Sequence, residues 1–454
     1  MSNALEKNTS DHVRRFKPYP AYKDSGVEWL GEVPEKWHTM RFKYLLSEPL
    51  KYGANEVAEL DDPNLPRYVR ITDVNEDGTL REETFKSLPE DIAKPYLLRD
   101  GDLLFARSGA TVGKTFYYQD SWGRAAYAGY LIRGQLAAHK MIAKFAAYFA
   151  QSRNYWGWLG SSVIQATIQN VSAEKYAGLV LGIPSADEQR AIAVFLDRET
   201  ARIDQLIAKK ERQIELLQEK RSALISHAVT KGLNPKAKMK DSGIEWLGEI
   251  PEHWEVKPIK CIGTIKYGLG TPPEQRDDGV AIIRATDIHQ GKIFAESIQR
   301  VDPDDVPWSR DPELRTNDIL VVRSGAYTGD SAIVPEEWDG AIAGYDMVLR
   351  VKHAIPRFVS YALLSKYLLE GQIYLEKMRA AQPHLNAEEL GSFYIVLPPY
   401  EEQKSIVRHI DEHLSQIDIM IAKIEASSGL LREYRTAVIS AAVTGKIDVR
   451  EEVA

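Results

Sequence analysis

The sequence has a single cysteine, Cys261, in 454 residues. No disulfide within the chain and no thiolate metal cluster can be built from one sulfur, and a reducing, cytoplasmic setting is expected. Runs of about 18 apolar residues are absent, so no membrane span is expected. Met1–Pro20 is polar and lacks the apolar core of a secretion signal, which reads as a flexible tail. The ten histidines are scattered, with neither a His-Glu-x-x-His motif nor a paired spacing, and no metal site is expected. An excess of positive charge is missing as well. The chain carries net −7. Residues 1–184 hold 23 basic and 22 acidic side chains, and residues 239–398 hold 17 and 25. Binding to nucleic acid would have to rest on local Arg and Lys, or on partners that neutralise phosphate.

What the chain does have is two copies of one pattern. Tyr22–Trp37 reads YKDSGVEWLGEVPEKW and Met239–Trp254 reads MKDSGIEWLGEIPEHW, with twelve of sixteen positions identical at an offset of 217. Lys51-Tyr52-Gly53 returns as Lys266-Tyr267-Gly268, and Arg70-Ile71-Thr72-Asp73 as Arg284-Ala285-Thr286-Asp287. DLLFARSGATVGKT from Asp102 returns as DILVVRSGAYTGDS from Asp318, and Ala128-Gly129-Tyr130 as Ala343-Gly344-Tyr345. The offset drifts between 214 and 217 up to Pro184 and Pro398, then stays at 214 as far as Ala228-Val229-Thr230 and Ala442-Val443-Thr444. Loops of variable length belong to a globular part; a tail that accepts no insertion belongs to a rigid helix. The globular parts read as mixed α/β. Asp102–Ala106 and Asp318–Val322 are short apolar runs expected as strands, and Ala137–Ala150 and Pro356–Leu369 are expected as helices.

The tails are long. Ser185-Ala-Asp-Glu188 is a capping-box pattern, and no Pro or Gly follows before Thr230. The second tail, Pro399 to Thr444, is broken only by Gly429. A mainly apolar stripe with spacings of three and four runs Ile203, Ile207, Lys210, Ile214, Leu217, Arg221, Leu224 and Ala228 in one tail, and Ile417, Ile421, Ile424, Ser428, Leu431, Arg435, Val438 and Ala442 in the other. That is a coiled-coil seam. Burying one Ile or Leu contributes about 1.5–3 kcal/mol, so the two stripes are expected to find each other, antiparallel because a globular part lies between them. The alternative is two long helices, each packed on its own domain. The fold expected is α/β (mixed α+β), with two similar domains separated by two long antiparallel coiled-coil helices in a pseudo-twofold internal repeat. The segments are a tail over 1–20, a first domain over 21–184, a first spacer helix over 185–235, a second domain over 236–398, and a second helix with the C-terminal tail over 399–454.

The helix openings LGIPSADEQRAIAVFLDRETARIDQLIAK and IVLPPYEEQKSIVRHIDEHLSQIDIMIAK resemble the Pro-x-x-x-Glu-Gln openings of the DNA-specificity subunits of Type I restriction–modification systems. The endings RSALISHAVTKGL and REYRTAVISAAVTGKI are similar to that family's Ala-Val-Thr-Gly close, with one extra residue in the first copy, and the doubled DSG-x-E-W-L-G-E-x-P-E-x-W opening is similar too. The resemblance implies two target-recognition domains that enter the major groove of double-stranded DNA, and a helical ruler between the halves of a bipartite site. It also implies two modification (methyltransferase) subunits and two restriction (motor-nuclease) subunits as partners, and a bacterial or archaeal cytoplasm. The chain itself would be non-catalytic and would hold no cofactor, with S-adenosylmethionine, ATP and magnesium belonging to the partners. The competing reading is a coiled-coil scaffold that assembles proteins without reading DNA, which the acidic second half favours.

Candidate DNA contacts follow from the matched positions. Arg107 and Arg323 stand where a strand meets a turn, each followed by Ser-Gly-Ala. Arginine there can reach guanine O6 and N7, and Ser108 or Ser324 a base or phosphate; the alternative is an arginine that pairs with a carboxylate and holds the turn. Lys51 with Tyr52, and Lys266 with Tyr267, set a cation beside an aromatic for phosphate and sugar. Arg70 with Thr72, and Arg284 with Thr286, are further candidates, unless the arginines serve Asp73 and Asp287. Tyr130 and Tyr345 complete the shared set. Halves that read different bases need different side chains, which points to Thr111 against Tyr327 and Lys114 against Asp330. Two catalytic readings fall on chemistry. Ser108–Thr115 lacks the first glycine of a phosphate-binding loop. Leu397-Pro-Pro-Tyr400 has leucine where an adenine methyltransferase needs an amide or carboxylate oxygen.

Overall fold

The computed structural model describes residues 16–75, 79–109, 111–163, 170–375 and 384–452. The chain forms two compact units, Met1–Lys210 with Glu425–Ala454, and Glu211–Ile424. No helix among the described residues is long and apolar enough to cross a membrane.

In the first unit, β1 (Lys51–Tyr52), β2 (Leu103–Ala106), β3 (Thr115–Tyr117) and β4 (Leu131–Gly134) form an antiparallel sheet in the order β1-β4-β2-β3. β2 and β4 are buried along their whole length; β2 is a continuous apolar run, while β4 includes Arg133, whose guanidinium donates to the Leu97 carbonyl at 3.0 Å and pairs with Glu48. Arg67–Val69 pairs in parallel with Ala125–Tyr127 beside this sheet. Helices α1 (Ala143–Phe149) and α2 (Arg153–Val163) follow, and the strand Val180–Ile183, paired with His38–Arg41, leads into the 46-residue helix α3 (Ala186–Lys231).

The second unit repeats the plan. β5 (Gly263–Tyr267), β6 (Ile319–Val321), β7 (Ser331–Ile333) and β8 (Met347–Val351) take the order β5-β8-β6-β7, helix α4 (Pro356–Leu363) corresponds to α1, and the strand Tyr394–Leu397 leads into the 44-residue helix α5 (Tyr400–Val443).

Both long helices contribute to both cores. In the first unit, Ile192, Phe195 and Leu196 of α3 and Val438, Ile439 and Ala442 of α5 join Trp37, Phe105, Phe145 and Tyr155. In the second, Ile225 and Val229 of α3 and Ile406, Ile410, Leu414 and Ile417 of α5 join Trp254 and Phe358. Within each unit, therefore, one helix's beginning packs with the other's end, which is an antiparallel pairing. Ion pairs cross it at matching places: Arg435 holds Asp204 at 2.9 Å in the first unit, and Arg221 holds Asp418 in the second. Of the expected seam, Ile203, Ile207, Ile417 and Val438 are buried. Ile214, Leu217, Leu224, Ile421, Ile424 and Leu431 are half-buried.

The Glu-Gln pair at each helix opening has a structural task. Gln189 is 2% exposed and Gln403 is 4% exposed. The Gln189 amide oxygen accepts the Ile142 N–H at 2.7 Å and its NH₂ donates to the Pro184 carbonyl at 3.0 Å. Gln403 does the same with Ile355 at 2.9 Å and Pro398 at 2.9 Å. Ile142 and Ile355 precede α1 and α4, so each glutamine ties a long helix to its domain's own helix. Glu188 and Glu402 accept the indole N–H of Trp37 and Trp254 at 3.1 and 3.2 Å. The closing glycines complete this joint. Gly445, at φ +72°, lies against Pro34 and Trp37, and Gly232, at φ +74°, against Trp254; a Cβ there would come within 2.3 Å of Pro34 or 3.0 Å of Trp254. The backbone needs the left-handed region and the ring leaves no room for a side chain.

Three details depart from the sequence reading. Phe16–Pro20, taken with the flexible tail, is packed: Phe16 meets Phe195 edge-on at 5.2 Å, and the Tyr19 hydroxyl donates to Glu188 at 2.5 Å. Residues 1–15 of that tail lie outside the described residues. The capping box at Ser185 is half made, since Ser185 accepts the Glu188 N–H at 3.3 Å while the Glu188 carboxylate serves Trp37 and Tyr19. The helix expected over Ala137–Ala150 starts only at Ala143, because the Ile142 N–H is bound by Gln189, and the one expected over Pro356–Leu369 stops at Leu363.

Gln403→Ala leaves the Ile355 N–H and Pro398 carbonyl without partners, an expected loss of about 1–3 kcal/mol. Thermal unfolding should show a lower midpoint for this variant and no change for Gln416→Ala on the exposed face of α5.

Candidate nucleic-acid interface

The Arg-Ser-Gly-Ala segments join antiparallel strands, β2 to β3 and β6 to β7, so Ser108–Thr115 is a strand–turn–strand. Gly113 and Gly329 close the turns at φ +86° and +90°, where a Cβ would lie 2.0 Å from Leu159 or 2.3 Å from Ile373.

At the first residue of each turn the guanidinium lies on a tyrosine ring. Arg107 sits 4.7 Å from the centroid of Tyr52, while Arg323 sits 4.5 Å from Tyr267 and 4.4 Å from Tyr345. The supporting rings are fixed: the Tyr52 hydroxyl accepts the Ala173 N–H at 3.0 Å, and the Tyr267 hydroxyl accepts the Ala387 N–H at 2.8 Å. Among the described residues neither guanidinium is ion-paired with a carboxylate, and the Nε of both is buried without an acceptor. The turn-holding partner is thus an aromatic face rather than an acid, a cation–π arrangement that leaves hydrogen-bonding capacity free.

The other candidates divide into engaged and open. Arg70 donates twice to Asp73, at 2.9 and 2.8 Å, and to the Thr84 carbonyl at 2.7 Å; Arg284 repeats this with Asp287 at 3.3 Å and Ser297 at 2.7 Å. Thr72 and Thr286 donate to the same carboxylates at 3.3 Å. These four side chains brace a turn. Lys51 is paired with Glu48, and Lys266 with Asp311 at 2.7 Å. Tyr130, Tyr345 and Tyr327 are exposed, at 67%, 47% and 50%. Lys114 is exposed, whereas its counterpart Asp330 accepts the Gln290 N–H at 3.2 Å. Thr111, Ser108 and Ser324 are half-buried.

The sequence reading missed three things. Ser108 bridges to Asn170 and Ser324 to His384 through their backbones, which brings two unlike residues, 214 positions apart, beside the matched arginines. Arg323 donates from Nη2 to the His384 Nε2 at 3.2 Å. The second omission is Asp346, which takes the place of Leu131. Its Oδ1 accepts the Arg323 N–H at 3.2 Å, and its Oδ2 is buried with no partner. Burial pushes its carboxyl up to about 6. The third is the spacing of His409 and His413, which is paired after all: the rings lie 4.1 Å apart on one face of α5. Among the described residues no three His, Cys, Asp or Glu side chains are grouped as a metal site would need.

A family model described as the Type I restriction modification DNA specificity domain matches residues 34–216 and again residues 251–426. The chain belongs to this family. Both matches begin inside the doubled opening motif and end within a long helix, so the specificity domain as a unit includes the Glu-Gln joint. The chain is 25% identical over 442 residues to the putative type I restriction enzyme MjaX specificity subunit of Methanocaldococcus jannaschii, which covers 93% of this chain and 96% of that one. It is also 25% identical over 306 residues to the type I restriction enzyme EcoBI specificity subunit of Escherichia coli, with 64% of each chain covered. A solved chain from work on complex assembly and conformational transition of the type I R-M system superposes with a TM-score of 0.67 at 15% identity, over 90% of this chain and 98% of that one. This chain shares that chain's fold over most of its length.

Asp346 gives a pH prediction. A carboxyl with a folded pKa above its free value binds protons more tightly in the folded state, so stability falls as pH rises through the interval from about 4 to about 6. Asp346→Asn keeps the acceptor for Arg323 without the charge. It is expected to raise stability by about 2–3 kcal/mol at neutral pH, with the gain gone below pH ~4. Urea unfolding across that range measures it.

Proposed function

We propose that this chain is the DNA-reading subunit of a Type I restriction–modification enzyme, and that each specificity domain reads one block of a bipartite, asymmetric site. The observation that carries the reading is the doubled Arg–Tyr turn. One fold occurs twice, with a stacked arginine at the same place in each copy and different side chains around it. Two copies with unlike surroundings read unlike blocks, so the target need not be palindromic, in contrast to the sites of symmetric dimers. Each long helix belongs to both units without a break, so helix length sets the interval between the blocks. The chain's own chemistry is recognition. Adenine methylation and cleavage belong to two modification and two motor-nuclease subunits, which carry S-adenosylmethionine, ATP and magnesium. With no basic excess in this chain, those partners also supply much of the phosphate neutralisation.

Selection from randomised duplexes by the chain assembled with its modification subunits tests this. Two short, unlike blocks at one separation are expected, and exchange of residues 21–184 for those of a relative should replace one block and keep the other. Retention of duplexes without sequence preference would instead support a scaffold that only assembles proteins. Arg323→Ala should cost roughly 1–3 kcal/mol, at one base position of one block.

A further inference from the structure

We propose that Asn170 and His384 are specificity-determining residues of the two half-sites, His384 acting with Arg323 on a guanine and Asn170 acting beside Arg107 on an adenine. This rests on the DNA-reading role given above and names side chains within it.

The two positions are equivalent in the fold. The two are 214 residues apart, each forms a backbone bridge to the serine after the stacked arginine, and the next residue, Val171 or Leu385, donates its N–H to that arginine's carbonyl at 2.8 or 2.7 Å. The backbone thus delivers one side chain to the same spot in both units. Around that spot the arginine, serine, glycine and supporting tyrosine are shared, and shared groups cannot tell one block from the other. The delivered side chain differs between the copies, Asn170 in one and His384 in the other.

Its chemistry differs in a definite way. Arginine has only donors, so in the 3.2 Å contact the His384 Nε2 accepts from Arg323 Nη2. The ring is then neutral, with its proton on Nδ1, which has no acceptor among the described residues. Arg323 and His384 together present donors only. Guanine shows two acceptors, O6 and N7, in the major groove. The Asn170 amide is exposed, has no partner among the described residues, and offers an NH₂ that donates beside a carbonyl oxygen that accepts. That matches adenine, with its N6 donor and N7 acceptor.

The test selects randomised duplexes with the full chain assembled with its modification subunits, for the natural sequence, His384→Asn and Asn170→His. Each variant carries what the other unit already tolerates at that place. His384→Asn should change the preferred base at one position of one block by roughly 10- to 100-fold and leave the other block as it was; Asn170→His should do so in the other block. Binding weakened evenly over all sequences, or blocks unchanged in both variants, would overturn the assignment and leave these side chains as supports of the turn. A natural complex that selects no blocks at all would overturn the DNA-reading role, and this inference with it.

Discussion

A buried glutamine in the first turn of each long helix fixes how that helix leaves its domain. Gln189 and Gln403 spend both ends of their amides on backbone groups of the same domain, and the neighbouring Glu188 and Glu402 hold the indoles of Trp37 and Trp254. An amide with both ends bound inside a packed core cannot swing, since freeing either partner leaves a buried polar group unpaired. The direction of the helix is therefore part of the domain's own structure. The closing glycines pack on the same tryptophans, so a helix end and a helix beginning meet around one ring in each unit.

This joint explains why the repeat is strict in some places and loose in others. The opening motif, the Glu-Gln pair and the closing Ala-Val-Thr segment all converge on Trp37 or Trp254, and they are the parts written nearly alike in both halves. The turns that carry Lys114 and Tyr327 keep one length, at an offset of 216, and the offset drifts in the stretches on either side of them, between Asp73 and Asp102 and between Thr115 and Ala128 in the first copy.

Much of the architecture was legible for this reason. The repeat gave two domains, the constant offset gave unbroken helices, and the 3-and-4 stripe gave their pairing. Local pattern failed where a distant group decides the outcome. The start of α1 moves to Ala143 because Gln189, 47 residues on, binds the Ile142 N–H; Phe16 is fixed by Phe195. The candidate site was legible only in part. Arg107, Arg323, Tyr52 and Tyr267 announce themselves by recurring, and the structure stacks them. Asn170, His384 and Asp346 do not recur, and a residue that differs between copies has no pattern by which to be found until the fold places it.

The central claim is that two unlike readers share one pair of stiff helices whose length sets the step between their targets. The direct measurement is to insert seven residues at matching points of α3 and α5 and to map the selected DNA. Seven helical residues add about 10.5 Å, close to three base-pair steps of about 3.4 Å. The account predicts both blocks unchanged and the gap between them longer by about three base pairs. Both blocks intact at the original separation would contradict it.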